Sequence, residues 1–187
     1  MKLSIVKFFC LTALLLVSSN LFSQTKKITE TFENASKKGR YPSGEVTTTN
    51  GTWTFNEALV WDKEPTDYRP MAPRVLSAPT IDDEAGSIST NFEIKDIKHI
   101  KVGFIGYKTD PGYFQIEVLL SKDKGQTWES VGTARGKYDK SQETFAQFKV
   151  NSKKDEELRV KIKNASAPKL NKLNRINITL VEIECNK

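Results

Sequence analysis

The residues best equipped for chemistry lie in the middle of this 187-residue chain: Trp53, Trp61, Asp67, Tyr68 and Arg69, followed by Tyr107 and Tyr113. Aromatic faces beside a guanidinium and a carboxylate suit a sugar. Apolar ring faces stack, and a few convergent polar groups fork onto hydroxyls to set orientation. Tyr113 falls on the polar phase of its segment, and Tyr107 continues the polar phase of the one before. Trp61, Asp67, Tyr68, Arg69, Tyr107 and Tyr113 are therefore the expected ligand-binding set. A second reading stays open, in which Trp53 and Trp61 are core residues and the tyrosines cover sheet edges. In that reading Arg69 pairs with Asp67 or Asp62 to fix a loop.

Other chemistries find less support. Calcium needs several hard oxygens, and "FENAS" (Glu33, Asn34) can meet Glu182 or Glu184 near the C-terminus. Those four residues are the expected calcium set, with the solvated turn "IDDEAG" (Asp82 to Glu84) as the other acidic cluster. His99 is the only histidine, which excludes a His-rich metal centre. No serine sits in a "GxSxG" elbow. A glycan hydrolase needs two carboxylates across a cleft, a pair that 23 acidic residues can always nominate. The expectation is a non-catalytic protein.

The stretch "SKDKGQTW" explains itself as architecture. Asp123 can accept hydrogen bonds from N–H groups of its own turn. Gly125 permits the positive φ of a tight connection. Ser121 adds a local hydrogen bond, and Trp128 packs over the hairpin base.

These residues must be carried by strands. "SISTNFEI", "HIKVGF", "YFQIEVLLS" and "ELRVKIK" alternate apolar and polar residues with a period of two, as strands with one wet face do. "RINITLVEIEC" changes phase near Leu180, which predicts a β-bulge. Weaker strands are expected at "KITETF", "GTWTF", "ALVW", "RVLSA", "TWESVGTA" and "TFAQFKV". No window has a helical period. The pattern predicts an all-β fold, a two-sheet antiparallel β-sandwich of jelly-roll type. The longest irregular piece, "DKEPTDYRPMAP", holds three prolines, and long loops of this kind are often functional.

The first residues read as an address. Lys2 and Lys7 precede an apolar run of about ten residues, followed by "SSNLFSQ", the grammar of a secretory signal peptide. The run is shorter than the roughly twenty residues that cross a bilayer. Cleavage is expected after Ser23, leaving 24–187 as one sandwich domain that is periplasmic, cell-surface or extracellular. Removing Lys2 and Lys7 leaves 27 basic residues against 23 acidic, a net of +4. The basic groups are interspersed with acidic ones, which argues against nucleic acid as a partner. Only Cys185 follows residue 23, so packing must hold the domain together without an internal disulfide.

"SKDKGQTW" resembles the Asp-box of sialidases, a structural hairpin that lies away from the catalytic centre. "ETFEN", "GTWTFNEALV", "DYRP", "GSISTNFEI", "KHIKVGF" and this one hairpin together resemble secreted jelly-roll domains of Bacteroidetes. Where those domains often read "DRKNG", this chain has "DYRPM", keeping Asp67 and Arg69 but lacking the Gly. The resemblance implies a galactose-binding-like or carbohydrate-module-like sandwich used as an accessory or adhesion unit. The expected partner is a glycan or a cell-surface protein. The alternative is a structural or protein-interaction module with no small ligand.

Overall fold

The computed structural model describes residues 25–37, 41–60, 69, 71–78, 84–110, 113–137, 139, 141–167 and 174–186. Among them there is no helix, and so none long and apolar enough to cross a membrane. The expected leader (1–23), Trp61, Asp62, Asp67, Tyr68, Asp82 and Asp83 lie outside the described residues.

Two antiparallel sheets pack face to face. The strands are β1 (Lys26–Glu30), β2 (Gly44–Thr48), β3 (Gly51–Asn56), β4 (Ala58–Leu59), β5 (Arg74–Leu76), β6 (Ser87–Thr90) and β7 (Ile94–Lys95). They continue with β8 (Ile97–Gly106), β9 (Gln115–Ser121), β10 (Glu129–Arg135), β11 (Thr144–Lys149), β12 (Glu157–Asn164) and β13 (Arg175–Cys185). One sheet runs β11-β8-β13-β5-β4, with β1 also on β13. The other runs β10-β9-β12-β6-β3-β2, with β7 also on β12. The fold is a two-sheet antiparallel β-sandwich of jelly-roll type.

Period-two patterning builds the interior. Ile100, Val102 and Phe104 of β8 face Ile116 and Val118 of β9 and Leu158, Val160 and Ile162 of β12 in a common core. At one end Phe32 meets Trp53 and Phe55 edge-on, with centroids 5.2 and 6.1 Å apart. Each such pair contributes about 1 kcal/mol beyond the area it buries. Phe32 takes φ 62°, a left-handed conformation that costs a non-glycine residue about 1–2 kcal/mol. Complete burial of its ring stabilises by a comparable amount. The buried Glu30 carboxylate accepts from the Phe32 N–H at 2.8 Å and from Asn50 Nδ2 at 3.0 Å, which fixes the turn after β1.

β13 organises the first sheet because it changes partner along one edge. Its first residues, Arg175–Asn177, pair with β5, and its later residues, Val181–Cys185, pair with β1. Along its other edge it pairs with β8, and the register slips between Ile178 and Leu180. The expected bulge is there. It moves the core face from Ile178 to Val181 and leaves Thr179 and Leu180 half-buried.

Two strand expectations change. "SISTNFEI" is not one strand: β6 ends at Thr90 and β7 begins at Ile94. The Asn91 side chain there bonds Thr54 and Glu45 across neighbouring strands. β2 went unanticipated because "GEVTT" carries one apolar residue, Val46, and forms a sheet edge.

Candidate functional site

The change of partner opens a notch in the first sheet. β1 and β5 reach β13 from opposite ends, so its edge at the bulge is covered instead by the approach to β5. Ile178 N–H donates to Pro73 O at 2.9 Å, and Asn177 Nδ2 donates to the carbonyls of Arg69 and Ala72. The result is a pocket of about 330 Å³ lined by Thr31, Glu33, Arg69, Met71, Ala72, Glu143 and Thr179. Each element supplies a part. The turn after β1 holds Glu33, the approach to β5 holds Arg69 and Met71, the bulge presents Thr179, and Glu143 comes from just before β11.

Glu143 reaches Thr179 by crossing β8, and Gly103 lets it. A Cβ added at Gly103 would stand 2.7 Å from Thr179 Oγ1 and 2.9 Å from Cε1 of Phe145. Over this bare strand the Thr179 hydroxyl donates to Glu143 Oε1, and Arg69 Nη2 stands 3.8 Å from Glu143 Oε2. Phe145, two residues beyond Glu143, lies on the same outer face with its side chain 55% exposed. Lys101 Nζ is 5.1 Å from the centroid of its ring. Met71, 39% exposed, adds a large apolar side chain to the pocket lining. A sugar can use all of this: a flat apolar face, a carboxylate, a hydroxyl and a guanidinium converging at one opening.

Of the expected ligand set, Arg69 belongs to this site. Tyr107 does not. It is 1% exposed, with the Arg175 guanidinium 3.7 Å and the Arg74 guanidinium 5.0 Å from its ring centroid. Asp110 grips Arg175 through Nε at 2.9 Å and Nη2 at 2.5 Å. That bond raises the Arg175 pKa. The polar phase brings Tyr107 to charged partners, but those partners seal its ring from a ligand. Tyr113 is 57% exposed, with Arg135 5.1 Å from its ring centroid. It precedes β9 in the second sheet, whereas Arg69 belongs to the pocket on the first. Trp53 is fully buried, as the core reading expected. Trp61, Asp67 and Tyr68 fall outside the described residues.

The expected calcium set is not assembled. Among the described residues no three acidic, histidine or cysteine side chains are placed to share an ion. Glu182 and Glu184 alternate on the outer face of β13 and are held by cations, Lys27 at 2.7 Å and Lys98 at 3.6 Å. Glu33 lines the pocket instead, and Asn34 is exposed in the turn.

The hairpin is built as its residues dictate. Ser121 Oγ donates to Asp123 Oδ1 at 2.7 Å and accepts from the Gly125 N–H at 2.7 Å. Asp123 accepts from the N–H groups of Gln126 and Thr127 and from the Thr127 hydroxyl. Lys124 (φ 60°) and Gly125 (φ 91°) make the left-handed turn. Trp128 Nε1 donates to Gly125 O at 3.0 Å, and Lys161 Nζ lies 4.2 Å from its ring centroid.

Phe145, Glu143, Thr179 and Met71 were not anticipated. One signal was available for Phe145. In "TFAQFKV" it shares a phase with Gln147 and Lys149, opposite Ala146, Phe148 and Val150. That phase alone marks a large ring on a wet face.

No known protein family matches this sequence, and no curated protein does. Solved structures do. The CBM22-1 xylan-binding domain from Paenibacillus barcinonensis superposes with a TM-score of 0.52 at 10% identity, over 86% of this chain and 94% of that one. A family 29 carbohydrate-binding module from Piromyces equi gives 0.43 at 12% identity, over 87% and 92%. The carbohydrate-binding module CBM36, solved with calcium and xylotriose, gives 0.41 at 11%, over 84% and 98%. The first likeness establishes a shared β-sandwich fold.

Proposed function

We propose that this chain is a secreted, non-catalytic carbohydrate-binding module whose glycan platform is Phe145 with Arg69, Glu143 and Thr179. The observation that carries this reading is the exposed Phe145 ring seated over Gly103 beside a pocket of converging polar groups. The shared fold with a xylan-binding domain supports it. Secretion rests on the signal-peptide grammar of the first 23 residues.

Among the described residues, Glu33 and Glu143 are the carboxylates that line this pocket, and their surroundings favour binding. Glycoside hydrolysis needs two carboxylates that face each other across a cleft, free to reach the scissile bond. Glu33 is exposed, and Glu143 is bonded to Thr179 beside Arg69.

A glycan-array screen of the protein, run with calcium and again with chelator, tests the reading. Binding to a defined sugar class, without release of reducing ends, is expected in both conditions. Silence from a demonstrably folded sample would shift the assignment to a structural or protein-interaction module.

A further inference from the structure

We propose that Asn50 is a self-modification site: its side chain converts to a carboxylate by attack of the Gly51 nitrogen, and the conversion unlatches the β2–β3 turn from β1. The inference is independent of what the pocket binds.

The fold demands both halves of this dipeptide. Thr48 pairs with Gly51, so Thr49 and Asn50 are the turn residues between β2 and β3. Gly51 takes φ 137°, a conformation that residues with a Cβ disfavour. A Cβ there would also stand 2.6 Å from Cδ1 of Phe92, whose ring packs edge-on against the buried Trp53. Position 50 needs a donor that serves two acceptors. Asn50 Nδ2 donates to Thr29 O at 2.7 Å and to Glu30 Oε2 at 3.0 Å. Glu30 is 5% exposed, and its Oε1 already accepts from the Phe32 N–H, so the Asn50 amide satisfies its second oxygen. Glycine at one position and a short amide at the other make the one Asn-Gly pair in the chain.

Asparagine reacts most readily before glycine, because a glycine nitrogen has no neighbouring side chain to hinder its approach. Asn50 sits half-buried at a turn, within reach of water. The Gly51 nitrogen loses its proton and bonds to Asn50 Cγ, the bond from Cγ to Nδ2 breaks, and ammonia leaves. Water then opens the cyclic imide at either carbonyl. The products are aspartate and the isoaspartate whose main chain runs through Cγ. The sum is hydrolysis of one amide, with no change of oxidation state.

The product reverses the contact. A carboxylate only accepts, so Thr29 O and Glu30 Oε2 lose their donor, and two like charges stand where a donor met an acceptor. The turn after β1 also carries Thr31 and Glu33 to the pocket, so conversion loosens one wall of the notch.

The test has two arms. Wild type is held warm at mildly alkaline pH, then peptide-mapped for isoaspartate and for amide-to-acid conversion. Asn34 and Asn151, both exposed but followed by Ala35 and Ser152, are the internal references. Conversion at Asn50 ahead of both is expected, and conversion there no faster than at the references overturns the site. In the second arm Asn50→Asp, Glu30→Gln and the double variant are compared with wild type by thermal unfolding. Asn50→Asp should unfold about 3–10 °C below wild type. In the Glu30→Gln background the same substitution should lower the unfolding temperature less than half as far, because the new amide can keep the Phe32 N–H and donate to the new carboxylate. An Asn50→Asp variant as stable as wild type, or one that Glu30→Gln does not rescue, overturns the latch. If Asn50→Asp alone does not fold, recovery of folding in the double variant supports the latch, and failure to recover overturns it.

Discussion

The ring of Phe145 lies over Gly103, close enough that a single added carbon at that glycine would stand 2.9 Å from it. The same carbon would stand 2.7 Å from Thr179 Oγ1 and 3.1 Å from Leu180 Cβ. Gly103 is thus the floor on which ring, hydroxyl and carboxylate meet. Gly103→Ala should weaken glycan binding by tenfold or more, because both ligand-facing groups must shift. Overpacking of this size typically costs about 1–3 kcal/mol. Thermal unfolding read beside glycan titration separates the two effects, and unchanged binding would remove Gly103 from the site.

Trp53 tests the core. It is fully buried against Phe32, and its Nε1 finds no acceptor among the described residues. Trp53→Ala should destabilise by about 3–5 kcal/mol. Trp53→Phe keeps a ring and removes the unsatisfied donor, so its cost should be far smaller, about 1 kcal/mol. Denaturant unfolding of both variants gives the comparison. Equal losses would mean that the ring edge and not the volume is what matters.

The Asp110–Arg175 pair closes the opposite end of β13 from the C-terminus. Asp110 is buried and also accepts from the Arg175 N–H at 2.6 Å. Removing Asp110 takes three hydrogen bonds from Arg175, whose guanidinium stays partly open to water, at about 1–3 kcal/mol. Asp110→Ala should show a loss of that order in denaturant unfolding, with Tyr107 becoming accessible to chemical labelling. A loss under 1 kcal/mol would show that Arg175 finds equivalent partners without it.

Acid acts on the hairpin late. The Thr127 hydroxyl, then the Thr127 N–H and Ser121, hold the Asp123 carboxyl far below the usual carboxylate range. A group whose folded pKa is depressed contributes stability above its unfolded pKa, and that stability is lost as pH falls through the folded value. The Trp128 indole N–H signal should therefore stay at its hairpin position from pH 7 through pH 4 and move only in stronger acid. A transition near pH 4 would mean that those hydrogen bonds are not formed in solution.

The fold was legible where alternation was strict, and the site was less so. "ELRVKIK" placed Leu158, Val160 and Ile162 inward, and the phase change in "RINITLVEIEC" located the bulge. What alternation cannot say is where a strand changes neighbours. The notch exists because β5 and β1 share one edge of β13, a long-range fact invisible in either segment. Tyr107 misled for a related reason. Its polar phase was correct, but Arg74 and Arg175 come from other strands to cover its ring, and Asp110 of its own turn holds Arg175 there. The hairpin was read correctly because Ser121, Asp123, Gly125 and Trp128 are partners within one short turn.

The most direct test of the account is a calorimetric titration of wild type and Phe145→Ala with the glycan that binds wild type in the array. Phe145 is over half exposed, so its truncation should leave the unfolding temperature nearly unchanged. Stacking on an aromatic platform is a large share of such binding, so affinity should fall roughly tenfold to a hundredfold, about 1.4–2.8 kcal/mol. Unchanged affinity in a folded Phe145→Ala variant would contradict the account and move the site away from the β13 notch.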